Sequence, residues 1–113
     1  MDMNIRRINK ADAKNYFNFF ALELRKSFNL SDDIYNFYIN KWNLDFIKTN
    51  HDNFKFIVSE VESNIVGILM GSPEEGGVAT IFWILVKESH SQRGIGKSLF
   101  KTSCELYKKD KNW

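Results

Sequence analysis

Residues 84–100 of the chain read ILVKESHSQRGIGKSLF, and this stretch decides the predicted fold. Its apolar start predicts the end of a buried strand, and its polar middle predicts a loop. Gly94 and Gly96 follow, at the start of a segment whose apolar residues have helical spacing. The order of strand, glycine-containing loop and helix is typical of a site that binds a phosphate group.

Such a site would bind its anion mainly through the backbone. The first turn of a helix has N–H groups without intrahelical acceptors, and the helix dipole adds positive partial charge there. Glycine at positions 94 and 96 lets a diphosphate approach the backbone closely, and Arg93 and Lys97 add positive charge. The stretch therefore predicts a diphosphate site. The alternative is that both glycines serve only the loop and the helix start.

One class of phosphate-binding protein, the P-loop NTPases, fits this stretch poorly. Gly96-Lys97-Ser98 matches the second half of the motif G-x-x-x-x-G-K-[ST], but Ser91 stands where the first glycine belongs. The motif would begin at residue 91 of 113, which leaves no room for the later strand whose Asp would hold magnesium. This class is therefore the least favoured alternative.

The segments before this stretch predict a strand, two helices and three further strands. A short strand is expected at 5–8, and two helices are expected between residues 11 and 47, from two stripes of apolar side chains. The stripes are Phe17, Phe20, Ala21, Leu24 and Phe28, and then Tyr35, Tyr38, Ile39, Trp42 and Phe46. Strands are expected at 54–61, at 65–70 and, covered on both faces, at 78–86. With a last helix from 94 or 95 to about 109, the order β-α-α-β-β-β-α predicts an α+β (mixed α/β) sandwich.

Length and composition exclude several classes of protein. The chain has 113 residues, of which 43% are hydrophobic, so it suits one domain and excludes a disordered or low-complexity chain. Its apolar runs are too short to span a membrane and it starts without a signal-peptide core, so we expect a cytoplasmic protein. The net charge of +2 gives no argument for nucleic acid. Positive charge is nevertheless concentrated in residues 87–113, which contain seven basic and three acidic side chains.

No side chain is clearly marked as an acid, a base or a metal ligand. The candidates for a general base are Glu60, Glu62, Glu88 and His90, although exposed strand ends or loops explain each of them. His51 and His90 lack the spacing of metal ligands, so we expect no metal site. Cys104 is the single cysteine, which excludes an internal disulfide, and we expect it to be a small buried residue of the last helix.

The sequence resembles the GNAT superfamily of acetyl-CoA-dependent N-acetyltransferases. The resemblance rests on the pattern L-x-V, several loop residues, and [QR]-x-x-G-x-[GA] at the start of a helix. Ile84-Leu85-Val86 stands at L-x-V, and Gly94-Ile95-Gly96 stands at G-x-[GA]. Ser91 departs from the pattern at the [QR] position, and Glu88 replaces a frequent proline. The order of elements also matches, so the resemblance covers essentially the whole chain.

The resemblance implies that acetyl-CoA is the co-substrate. Backbone groups of Ile84, Leu85 and Val86 would pair with its pantetheine arm. The diphosphate would be held by the residues at the helix start, which are Gln92, Arg93, Gly94, Ile95, Gly96 and Lys97. A neutral primary amine, on a small molecule or a protein, would attack the acetyl carbonyl, while backbone N–H groups donate to the developing oxyanion. The resemblance identifies neither the amine nor the catalytic residues.

The resemblance also implies that the fold continues. GNAT proteins normally have, after this helix, a strand parallel to the third strand of the meander, another helix and further strands. Residues 1–113 are therefore expected to form a single GNAT-like acyl-CoA-binding domain, C-terminally short, with a central and mostly antiparallel sheet. The meander would expose an apolar edge, so we expect a homo-oligomer that completes the sheet. The alternative to an active enzyme is a catalytically inactive acyl-CoA-binding or oligomerisation remnant.

Overall fold

A four-stranded antiparallel sheet forms the centre of the protein. The computed structural model describes residues 3–91 and 93–111 and, of Lys111, the backbone only. The strands are β1 (Met3–Arg7), β2 (Lys55–Val61), β3 (Asn64–Gly71) and β4 (Ile81–Val86). They lie side by side in chain order, and each pairs antiparallel with the next. Two residues, Glu62 and Ser63, connect β2 to β3, as an antiparallel pair allows, whereas residues 8–54 connect β1 to β2.

Helices cover both faces of the sheet. They are α1 (Ala13–Ser27), α2 (Asp32–Lys41), α3 (Leu44–Asn50) and α4 (Ile95–Lys111), with short 3-10 turns at Lys10–Asp12 and Glu88–His90. The first three helices pack on one face, and α4 packs on the other. Within the described ranges, no helix combines the length and apolar character that crossing a membrane requires.

The prediction of one helix through Phe46 was wrong, because two helices occupy that segment. Backbone dihedrals of −106° and 49° at Trp42 end α2. The Asn43 side chain then accepts a hydrogen bond of 2.8 Å from the N–H of Phe46 and caps the start of α3. An asparagine side chain competes with helical continuation in this way. Both helices contribute apolar side chains to the same core. The apolar residues therefore keep a helical spacing across the break between the two helices.

The prediction that residues 78–86 form a strand covered on both faces was also wrong. The strand β4 begins at Ile81, and Val78 lies in the preceding loop with 68% of its surface exposed. Among the described residues, only β3 pairs with β4, which is therefore an edge strand. Phe82 and Ile84 remain 38% and 36% exposed. An apolar run predicts burial, but it does not say which neighbouring chain segment provides it.

The alternation of side chains along β2 and β3 separates two cores. On the side of α1 to α3, the sheet contributes Phe56, Val58, Ile68 and Met70. On the side of α4, it contributes Ile57, Val66 and Leu69, which pack with Ile95 and Leu99 of the helix. Both central strands are thus buried on both faces. The sheet consequently forms a wall between the surfaces on its two sides.

Small residues allow the start of α4 to approach the sheet closely. Gly67 of β3 lies opposite Ser59 of β2, and the side chains of Ile95 and Leu99 lie above it. A Cβ atom at Gly67 would lie 2.7 Å from Ser59 Oγ, 3.0 Å from Ile95 Cγ2 and 3.1 Å from Leu99 Cδ1. These distances leave no space for a methyl group, so this contact determines how closely the first turns of α4 lie against the sheet.

We expect Gly67→Ala to lower the free energy of unfolding by about 1–3 kcal/mol, because the added methyl group overpacks this contact. Ser59→Ala alone should be neutral or stabilising, since the Ser59 hydroxyl is buried without a hydrogen-bond partner among the described residues. The double variant should recover part of the loss. Urea denaturation of all four proteins measures this coupling, and strictly additive effects would contradict the proposed contact.

Arg6 joins β1 to β2 and to the segment before α1. Its guanidinium donates to both carboxylate oxygens of Asp12, at 2.7 and 3.1 Å, and its Nε donates to Glu60 at 2.9 Å. The Asp12 carboxylate also accepts a hydrogen bond from the N–H of Asn9, whose own side chain caps the 3-10 turn. The hydrogen bonds from Arg6 hold the pKa of Asp12 below its ordinary value of 3.8.

This lowered pKa predicts a pH-dependent contribution to stability. Because the unfolded chain binds the Asp12 proton more tightly, the contribution is fully present above pH 3.8 and is lost as the pH falls through the folded-state pKa. Asp12→Asn should therefore be less stable than the parent protein at neutral pH, with a difference that shrinks below that value. Urea denaturation from pH 6 down to about pH 2.5 tests this. A constant difference would show that the ion pair is not the cause.

Candidate functional site

The predicted phosphate-binding loop lies where β4 ends. The N–H of Lys87 donates to the carbonyl of Val66 at 2.8 Å, which keeps the chain beside β3 for one residue beyond the strand. The 3-10 turn Glu88–His90 follows, and the Ser91 hydroxyl donates to the Glu88 carbonyl at 3.0 Å. These bonds turn the chain within a few residues, so that α4 starts directly beyond the end of β4.

Gly94 has the backbone conformation that the start of α4 requires. Its φ of +72° is one that residues with a Cβ rarely adopt, and a Cβ there would have no atom within 4 Å. Its carbonyl accepts the N–H of Ser98 at 3.0 Å, which makes it the last residue before the helix. Within 3–91 and 93–111, no carbonyl accepts a hydrogen bond from the N–H groups of residues 94 to 97. The turn therefore presents unpaired donors and open space, which suit an anion.

The structure brings the two halves of the predicted site together. A Cβ at Gly96 would lie 3.6 Å from Ile84 Cγ2 and 3.8 Å from Val86 Cγ2, so the first turn of α4 packs on these two side chains. Leu85 points to the other face and is buried in the core below α1. The side chain of Ile95 is fully buried against the sheet, so Ile95 could contact a ligand only through its backbone.

Basic side chains surround the turn. Arg93 and Lys97 are exposed on either side of the glycines, and Lys87 is exposed at the end of β4. The hydroxyl of Ser89 lies 2.8 Å from Nδ1 of His90 within the 3-10 turn. Gln92, a predicted binding residue, lies outside the described residues. Positive charge and free backbone donors thus coincide, as a phosphate site requires.

The strand β4 is irregular where it meets β3. Met70 lies opposite Trp83 and Gly71 lies opposite Ile81, so Phe82 has no partner and forms a bulge. A bulge interrupts strand pairing and re-aims backbone and side-chain groups. As a result, both Phe82 and Trp83 contact aromatic rings on the α1 side, the former at Trp42 and the latter at Phe20.

An open apolar groove lies between α4 and the loop that leads into β4. It has a volume of about 400 Å³ and is lined by Val78 of that loop, Ile81 at the start of β4, Phe100 and Cys104 of α4, and other residues. Phe100 is 49% exposed. The expectation that Cys104 is buried was wrong, since it is half-buried in the wall of this groove. The helical spacing predicted that Cys104 lies on α4. It did not show that this side of α4 faces an open groove.

Of the four candidate bases, Glu62 and His90 line one pocket together with Lys87, and Glu60 and Glu88 are not among its lining residues. Glu60 is held by Arg6, and Glu62 lies in the tight turn after β2 with a φ of +52°. Glu88 and His90 belong to the 3-10 turn before α4. The sequence analysis missed a different carboxyl group, that of Glu23, which is 2% exposed on α1. Its signal was an acidic residue three positions after Phe20, inside a stripe of buried aromatic side chains.

A comparison with protein families identifies the relationship at the sequence level. The sequence model of the Acetyltransferase (GNAT) family matches residues 14–112. The match includes α1 to α4 and the three strands of the meander. No curated protein has a significantly similar sequence.

Solved structures show the same fold at low sequence identity. The PaiA N-acetyltransferase of Thermoplasma acidophilum, in complex with coenzyme A, is 14% identical, with a TM-score of 0.85 over 97% of this chain and 74% of that chain. A GNAT family acetyltransferase of Brucella melitensis, in complex with acetyl-CoA, is 17% identical, with a TM-score of 0.69 over 93% and 68%. An aminoglycoside acetyltransferase from an uncultured soil metagenomic sample, in complex with sisomicin, is 22% identical, with a TM-score of 0.67 over 96% and 71%. The expected α+β fold is confirmed.

Proposed function

Because the chain belongs to the GNAT acetyltransferase family, we propose that it transfers the acetyl group of acetyl-CoA to a primary amine. The observation that carries the proposal is the start of α4, where Gly94 leaves open space before backbone N–H groups that have no acceptor within 3–91 and 93–111. Solved proteins of the same fold that contain coenzyme A or acetyl-CoA add support.

The residues present fit a nucleotide thioester. The backbone N–H groups of residues 94 to 97 would hold the diphosphate, with countercharge from Arg93 and Lys97. Backbone groups of Ile84 to Val86 would pair with the pantetheine arm, since the outer edge of β4 pairs with no other described strand. Backbone donors do not depend on side-chain identity, so Ser91 at the [QR] position of the family pattern is compatible with binding.

The chain's contribution to the reaction would be mainly orientation. Bound acetyl-CoA supplies the activated acyl group. The backbone of β4 at its edge and its bulge would orient the thioester, so that an amine could reach the acetyl carbonyl. An amine is mostly protonated at neutral pH, so it must lose a proton before it attacks, to a side chain or to water.

An inactive acyl-CoA-binding protein is the second candidate function. The positions of the candidate bases favour this function, because Glu60 is paired with Arg6, and Glu88 and His90 lie in the 3-10 turn before α4 rather than at the bulge of β4. The two candidates share the diphosphate site and differ only in turnover. Binding without thiol release from acetyl-CoA, across a panel of primary amines, would identify the inactive protein.

We expect Gly94→Glu to abolish binding of CoA and acetyl-CoA, because it places bulk and negative charge where the diphosphate would lie. Gly76→Glu is a matched control, since Gly76 also has a positive φ of 59° and open space around its Cα. The control should therefore carry the same backbone strain and keep its affinity. Calorimetric titration with CoA measures both. Equal affinities for the two variants would refute the assignment of the loop.

We also propose that a second copy of the chain covers the groove beside β4. The support is the exposure of Val78 and Phe100 in its wall, since such surface is usually covered. Sedimentation at micromolar concentration should give a mass above that of one 13.3 kDa chain. Phe100→Glu should reduce that mass by placing charge in the groove, and a monomeric parent protein would contradict the proposal.

A further inference from the structure

The outer edge of β4 has few of the features that keep a strand edge from pairing with another chain. Within the described ranges only β3 pairs with β4, so the backbone groups on the other side of β4 have no strand partner there. Residues 81–86 read IFWILV, without a charge or a proline. Charged residues, prolines and bulges commonly protect an edge, and of these β4 has the bulge at Phe82. The part beyond the bulge, Trp83 to Val86, is therefore open to pairing.

Exposed apolar side chains continue from this edge onto both faces of the sheet. On the α4 side, the exposed residues are Ile84 of β4, Phe100 of α4 and Val78 of the loop before β4. On the other side, they are Phe82 of β4 and Phe28 of α1. Together they form an apolar strip that crosses the sheet edge. A partner that covers both sides of this strip needs apolar side chains on both of its own faces, which favours another strand over a helix.

The segments at the two ends of β4 carry opposite charges. The loop 72–80 before the strand contains Glu74 and Glu75 and no basic residue, and with Lys108 of α4, which lines the groove at this end, the summed charge remains negative. The segment 87–97 after the strand contains three basic residues and one acidic residue. When a strand pairs antiparallel with its own copy, the start of each lies beside the end of the other. The acidic loop of one copy would then lie beside the basic segment of its partner.

We infer that a second copy of the chain pairs with the outer edge of β4, and that this pairing and the binding of CoA exclude each other. The inference rests on the proposed function, in which the pantetheine arm pairs with the same backbone groups. An edge N–H or C=O group that bonds to a partner strand is no longer available to the pantetheine arm. Self-association therefore keeps the chain in a form that does not bind CoA, and CoA stabilises the single chain.

Mutual exclusion makes the apparent affinity for CoA depend on protein concentration. Only the single chain binds CoA, so the apparent dissociation constant rises as the fraction of single chains falls. Well above the dissociation constant of a dimer, that fraction falls about threefold for each tenfold increase in protein concentration, and the apparent dissociation constant of CoA should rise by the same factor. Calorimetric titration with CoA at several protein concentrations measures this dependence.

Sedimentation with and without saturating CoA tests the exclusion directly. Without CoA, the mass should exceed that of one chain, and with CoA it should fall to that of one chain. A mass that does not change while calorimetry shows CoA to be bound would overturn the inference. A single chain in both conditions would overturn it as well.

Glu75→Lys tests the antiparallel arrangement, because Glu75 is exposed and the reversed charge would face the basic segment of the partner. The two-fold axis repeats this repulsion, so self-association should weaken about 5- to 30-fold. At high protein concentration the variant should therefore bind CoA more tightly than the parent protein, with equal affinities where both are single chains. Glu105→Lys makes the same change at an exposed position of α4 and should behave like the parent protein. Self-association equal in the two variants would contradict the arrangement.

The outcome is separable from that of the proposed function. If CoA does not bind even where the protein is a single chain, the proposed function fails, and the exclusion fails with it. If CoA binds with an affinity that does not depend on protein concentration, only the exclusion fails and the proposed function stands.

Discussion

The close approach of α4 to Gly67 and Ser59 is the contact on which the site depends. It fixes the distance of the first two turns of the helix from β3, through Ile95 and Leu99. The first turn of the helix also packs on Ile84 and Val86 at the end of β4. The free N–H groups at the helix start are therefore held beside an exposed strand edge by packing inside a core. Rigid elements position a binding group more accurately than a flexible loop does.

Local patterns in the sequence predicted most of this arrangement. The alternation of Phe56 and Val58 identified β2, and the helical spacing after Gly94 identified α4. The glycine-containing loop was predicted at the correct place, because a strand followed by a glycine-rich turn and a helix is a local arrangement. A glycine inside a strand, such as Gly67, is typical of a close approach or a bulge, but the pattern does not name the residues above it, because Ile95 and Leu99 are distant in sequence.

Predictions that depended on distant neighbours failed. The edge position of β4 and the exposure of Cys104 both reflect which segments lie nearby, and hydrophobicity alone carries no such information. The break between α2 and α3 was missed for a different reason. The Asn43 cap interrupts the helix, but the helical spacing of apolar residues continues through Trp42. The spacing alone therefore predicted one continuous helix. Glu23 was missed because the stripes were read for apolar residues only.

The sheet separates two surfaces of different chemistry. On one face, the start of α4 offers basic side chains and N–H groups that have no acceptor within 3–91 and 93–111, which suit an anion. On the other face, Trp83 of β4 packs against the rings of Phe20 and Tyr38, which makes that surface apolar. An anionic acyl donor would therefore be attracted to the α4 side of β4, and the apolar part of an acceptor to the aromatic side, so that the two would meet at the edge of the strand.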